Sequence, residues 1–123
     1  MTRIIIEALS PDQMRLDAYK EEGCGDWFVN KANGDIHIRV AGPDVWIDEE
    51  SFLIALHELI EARLCFKAGV TQDAVDTFDE KFSADGEPGD DPAAPYQKQH
   101  RAASILEHQM AIFLGKWDYG EVR

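Results

Sequence analysis

The chain reads as an α+β domain in which a small three-stranded antiparallel or mixed sheet packs with three helices. Three observations predict this. Short β-rich runs crowd the first forty residues, an Asn-Gly pair separates two of them, and the later apolar residues recur at helical rather than alternating spacing. The first helix, about 48–69, is expected to be central and buried. At 123 residues, 45% of them hydrophobic, the chain can fill one core but not two, so 1–123 is taken as a single domain.

Arg3 to Leu9 holds an unbroken Ile-Ile-Ile run stopped by Ser10-Pro11-Asp12, which predicts a strand, and a central one because the run is continuous. From Asp12 to Glu22 the residues Met14, Leu16 and Tyr19 form no stripe, so a loop with a helical turn is expected. Asp26-Trp27-Phe28-Val29 and Ile36-His37-Ile38-Arg39-Val40 follow as two strands, with Asn33-Gly34 as the hairpin signal between them. In the second strand Ile36, Ile38 and Val40 face one way, so His37 and Arg39 face the other and His37 is expected at solvent.

Gly42-Pro43-Asp44 breaks the sheet, and Asp48-Glu49-Glu50 supplies acids where the dipole of a starting helix favours them. The run from Ser51 to Gly69 is apolar nearly all round, with Phe52, Leu56, Leu59 and Phe66 on one side and Leu53, Ile54 and Leu64 on the other, so it is expected to be buried. Thr71 predicts an N-cap for a short helix running to about Phe82, on the spacing of Val75, Phe78 and Phe82. Residues 83–92 form a breaker-rich acidic loop, and a last helix is expected from about Pro95 to Gly115. Trp117 and Tyr119 are expected to fold back onto the core.

Charge and composition exclude several classes of function. A formal net charge of -12 would repel phosphate backbones, so nucleic acid is not an expected partner. The longest apolar run is interrupted by His57, Glu58, Glu61 and Arg63, and no membrane span is expected. The N-terminal residues lack the apolar length of a signal peptide, and Cys24 and Cys65 lie too far apart for a CxxC pair. A cytoplasmic location, bacterial or phage-encoded, fits these features, with the two thiols as packing atoms.

Chemistry concentrates in the first helix. At about 100° per residue, His57 and Glu61 project from the same side one turn apart, and Glu58 lies beside them. An unpaired buried charge costs several kcal/mol, so these groups must be paired, protonated or bound to a metal. On the last helix Tyr96, His100, Ala103, Glu107 and Ala111 share one side, and the small residues leave room for another helix. The expectation is that His57, Glu61 and His100 converge on one divalent metal, zinc foremost. Glu107 or Tyr96 would complete the shell or orient His100 through its second nitrogen. Glu58 would act as catalytic base on metal-bound water. Two histidines and one carboxylate also suit ferrous iron, so ligand count alone does not select the metal. Asp85, Glu87, Asp90 and Asp91 fit no EF-hand spacing and read as a solvated loop.

The stretch His57-Glu58-Leu59-Ile60-Glu61 resembles the helix motif H-E-x-x-H of zincin metalloproteases, with Glu61 in place of the second histidine. By that likeness His57 would be a ligand and Glu58 the general base. Separately, the residues from His57 to Cys65, the Phe78-Asp79 pair, the run from Glu87 to Tyr96 and His100 resemble a family of small uncharacterised bacterial and phage proteins. That likeness implies a phage or prophage context and carries no activity with it.

The sequence therefore leads to a small metal-binding protein of zincin-like layout, extended to a hydrolase using metal-activated water. Its rival is a non-catalytic interaction or structural protein whose buried His/Glu cluster only stabilises the fold. A homodimer or a protein partner is compatible with either, since one chain this small leaves little room for a substrate cleft.

Overall fold

A computed structural model describes residues 1–14 and 24–120. The expected α+β architecture is present, and its sheet is mixed. Strands β1 (Ile4–Leu9), β2 (Gly25–Val29) and β3 (Ile36–Ala41) are ordered β1-β3-β2, with β1 parallel and β2 antiparallel to β3. The central strand is therefore β3, and the expectation of a central β1 is corrected. The helical layer lies over β3 and β2, leaving Ile4 and Ile6 of the edge strand exposed although they point to the same side as Ile38 and Val40. An apolar run alone does not distinguish a covered strand from an uncovered one.

The turn joining β2 to β3 is closed by hydrogen bonds from Asn30 N to Asp35 O and from Gly34 N to Asn30 O, with Gly34 left-handed at φ 81°. The turn is also tied to β1. Asp35, itself buried, accepts from the backbone and guanidinium of Arg3 at 2.8–3.1 Å, which fixes the parallel register Ile4↔Ile36. His37 lies on the sheet face away from the helices, half-buried rather than at solvent, because its ring stacks on Phe28 with centroids 4.6 Å apart.

Helix α1 (Glu49–Ala68) starts at Asp48, whose carboxylate accepts from Ser51 N, and stops at Gly69 with φ 75°. It is the middle layer, packing on β3 and β2 from one side and on α3 (Gln97–Phe113) from the other. Its burial is less complete than the apolar pattern suggested: Phe66 is 78% exposed, and Leu56 and Leu59 are only partly covered. Two neighbouring layers cannot wrap a whole helix. Ile38, Val40, Leu53 and Cys65 form the fully covered centre.

Thr71 caps α2 (Gln72–Lys81) as expected, accepting from Ala74 N, and the side-chain carbonyl of Gln72 accepts from Val29 N at the edge of β2. A 3-10 turn at Pro88–Asp90 then brings the acidic loop against α3. The expectation for the tail divides. Trp117 is 77% exposed and does not return to the core, whereas Tyr119 is partly covered and reaches α3. Of the expected loop at 12–22, residues 11–13 form a 3-10 turn and the part from 15 onwards lies outside the described residues. No described helix is long and apolar enough to cross a membrane.

Candidate metal centre

The two helices carrying the polar residues run antiparallel, as the pairing of Glu49 with Lys116, His57 with Glu107 and Glu61 with His100 shows. Ala103 and Ala111, both fully covered, let them approach closely. The polar groups meet where a hydrophobic seam would otherwise be: His57, Glu61, His100 and Glu107 are 6, 4, 6 and 3% exposed.

Three atoms converge. Nε2 of His57 stands 3.0 Å from Oε2 of Glu61 and 3.3 Å from Nδ1 of His100, and that Nδ1 is 3.0 Å from the same carboxylate oxygen. The imidazole rings meet edge to face, with centroids 4.8 Å apart. Zinc bonds of about 2.0–2.2 Å in a tetrahedral shell require donors roughly 3.3–3.6 Å apart. Spreading this triangle by a few tenths of an ångström meets that requirement, so the buried His/Glu group can hold a metal ion.

The partners around the triangle settle which nitrogen is which. Oε1 of Glu107 lies 2.8 Å from Nδ1 of His57, so that nitrogen donates and Nε2 is left facing Glu61 and His100. The hydroxyl of Tyr119 donates to the other oxygen of Glu107. Indole Nε1 of Trp27 donates to Oε1 of Glu61 at 3.3 Å, fixing that carboxylate from the sheet side. Glu107 thus meets His57 and not His100. Tyr96 does not turn to the centre either: its hydroxyl donates to Asp79, and its ring packs edge-on against His100 at 6.3 Å.

His100 is held through its second nitrogen by residues expected only as a solvated loop. Nε2 lies 3.1 Å from Oε2 of Glu87 and 3.2 Å from Oδ1 of Asp90. Between them Gly89 lies flat against the imidazole, and a Cβ there would overlap the ring. A glycine flanked by carboxylates at an acidic turn, ahead of an internal histidine, is the sequence signal for this contact. Tyr119 had no comparable signal, because its partner is set by where the tail returns. The remaining histidine on α3, His108, is exposed and binds the carbonyl of Ser104.

Glu58 sits beside the triangle without joining it, with Oε2 3.9 Å from Nε2 of His57 and a side chain 12% exposed. Its place depends on Gly25, where a Cβ would come within 2.9 Å of Cγ of Glu58.

Electrostatics follow from burial opposed by neighbours. Burial alone would depress His57, but hydrogen bonds to Glu107 and Glu61, with the charge of Glu58, carry its pKa up to about 11. His100 behaves likewise, burial being outweighed by Glu61 and Glu87, and rises to about 10. Burial pushes the Glu61 carboxyl up, yet hydrogen bonds from His100 and His57 hold it below the ordinary carboxylate range. Glu58 lacks such bonds, and burial together with the charge of Glu61 raises it well above that range. Without a metal, both rings, which share one carboxylate oxygen, are thus biased towards the imidazolium form. One divalent cation replacing the two inward protons leaves the local charge unchanged, so the surrounding acids are balanced for either occupant.

No protein-family model, curated protein or solved structure matches the chain.

Proposed function

We propose that the chain is a metal-binding protein of zincin-like layout in which His57, Glu61 and His100 hold one divalent ion, zinc first, and that Glu58 makes the centre hydrolytic. The observation that carries this is the convergence of two imidazole nitrogens and a carboxylate oxygen within 3.0–3.3 Å in a buried seam. Glu107 supports it by fixing the tautomer of His57 from outside, as ligand histidines ordinarily require.

Three protein donors suit a catalytic site: an ion held by His57, Glu61 and His100 would supply a Lewis acid and would lower the pKa of water at an open position. Glu58 stands beside the triad and outside the set of three donors, with its carboxyl raised by burial and by the charge of Glu61 and its side chain 12% exposed. A carboxylate with a raised pKa is the stronger base. Glu58 would take the proton of the attacking water and return it to the leaving group. Trp27 and Glu107 hold Glu61 and His57 while that transfer occurs.

A second reading rests on one observation: the same side chains close a hydrogen-bonded network on their own. In that reading the cluster locks α1 and α3 in register, and the acidic surface meets a protein partner.

The hydrolytic assignment is tested with Glu58→Gln, assayed against a panel of chromogenic esters and peptide amides. The expected result is unchanged metal content and a loss of about 100-fold or more in the rate of any substrate cleaved by the wild type. An undiminished rate removes Glu58 from the chemistry, and loss of folding assigns it a structural role against Gly25.

A further inference from the structure

The triad lies beneath the surface, so an ion must be brought to it. His100 is common to two sets of donors. Its Nδ1 faces Glu61 and His57, while its Nε2 faces Oε2 of Glu87 at 3.1 Å and Oδ1 of Asp90 at 3.2 Å. The outer carboxylates are open to solvent, their side chains being 60 and 64% exposed. We infer that Glu87, Asp90 and Nε2 of His100 form an outer divalent-cation site, which captures the ion from solvent and passes it to the buried triad.

Three observations support this placement. First, His100 is 6% exposed, and its Nε2 points between two carboxylate oxygens at 3.1 and 3.2 Å without a well-directed hydrogen bond to either, so a buried nitrogen is aimed into the acidic turn. Second, the turn is shaped to the ring. Gly89 lies against the imidazole where any side chain would collide, and the 3-10 turn Pro88–Asp90 holds Glu87 and Asp90 on either side of it. A loop that was merely solvated would have no reason to be moulded around a buried histidine. Third, the two donor sets, His57, Glu61 and His100 and then Glu87, Asp90 and His100, each lie within 4.8 Å and meet at the shared ring, which faces one set with Nδ1 and the other with Nε2.

The chemistry orders the two sites. A neutral imidazole offers one lone pair, so the ring serves one ion at a time. While the ion sits outside, Nδ1 carries the proton and shares it with Glu61; when the ion moves inward, Nδ1 gives that proton up and Nε2 takes one from solvent, which it then shares with the same two carboxylates. The outer site is thus the first stop and the inner triad the resting place. Asp85 and Asp91 add negative charge to the approach, and a cation entering an acidic surface of this kind is drawn in faster than by diffusion alone.

The inference rests on the triad being a metal centre, and the experiment separates the two claims. Zinc uptake and release by the full chain are followed by stopped flow with a chromophoric zinc indicator, for the wild type, E87Q/D90N, His57→Ala and the triple variant. Loss of the outer carboxylates is expected to slow association by about tenfold or more, within the range of electrostatic focusing, while dissociation changes less than about threefold. His57→Ala should retain a fast, weak phase of zinc binding that disappears in the triple variant. Unchanged association in E87Q/D90N overturns the outer site and leaves the triad standing. Faster dissociation with unchanged association also overturns it, making Glu87 and Asp90 orienting groups for His100. A wild type that takes up no zinc removes both.

Discussion

Glu107→Ala is expected to destabilise the metal-free protein by about 3–5 kcal/mol, the cost of removing one partner from a buried ion pair and leaving the other uncompensated. His57 is the group left behind. It is 6% exposed, its Nδ1 loses a partner at 2.8 Å, and the second largest influence on its pKa disappears with that contact. The penalty is limited by His57 giving up its proton, after which Nδ1–H is still unbonded. For a domain whose whole stability is about 5–15 kcal/mol, this lowers the thermal midpoint by roughly 10–20 °C. Tyr119→Phe removes only the hydroxyl that donates to Glu107 and should cost about 1 kcal/mol. Thermal unfolding in the presence of a chelator measures both. A Glu107→Ala midpoint within 2 °C of wild type would show that His57 is not held as described.

Zinc is expected to raise the thermal midpoint, and by more as the pH rises. Binding to the folded state alone contributes about 4 kcal/mol when free zinc is a thousand times its dissociation constant. The direction with pH comes from His57 and His100, whose folded values of about 11 and 10 stand above the ordinary 6.5. A raised histidine stabilises the metal-free protein fully below its unfolded pKa, and that contribution is lost as pH climbs towards the folded value. The raised Glu58 acts in the same direction, since it too favours the protonated folded state. The metal-free protein therefore weakens between pH 6 and 8. Zinc must displace the inward protons of both rings, so its affinity increases over the same interval, by up to about 100-fold per pH unit for two protons. Melting curves with zinc and with chelator should diverge from pH 6 to pH 8, and calorimetry in buffers of different ionisation enthalpy should register proton release. Parallel curves with no proton release would contradict the assignment of His57 and His100 as displaced donors.

The helices and two of the site's contacts were legible because they depend on local chemistry. Asp48, Gly69 and Thr71 announce their ends by capping, and the one-turn separation of His57 from Glu61 puts both on one side of α1 whatever else the chain does. His100 and Glu107 could be assigned to the facing helix because small residues accompany them on one stripe. Which histidine Glu107 would meet was not legible. Antiparallel packing slides Glu107 against His57 and leaves the far nitrogen of His100 to the loop, and that register is a property of the packed pair. The edge position of β1 escaped for a similar reason, since the helical layer decides which strand it covers. Trp27 and Tyr119 reach the site across 34 and 12 residues of sequence, and no spacing rule connects them.

The central claim, that His57, Glu61 and His100 hold a metal ion, is tested most directly by elemental analysis of the untagged protein, purified without added metal, alongside His57→Ala and His100→Ala. The wild type is expected to hold close to one equivalent of a divalent transition metal, and either folded variant less than about a tenth. Substoichiometric metal in the wild type, or a full equivalent that survives both substitutions, would contradict it.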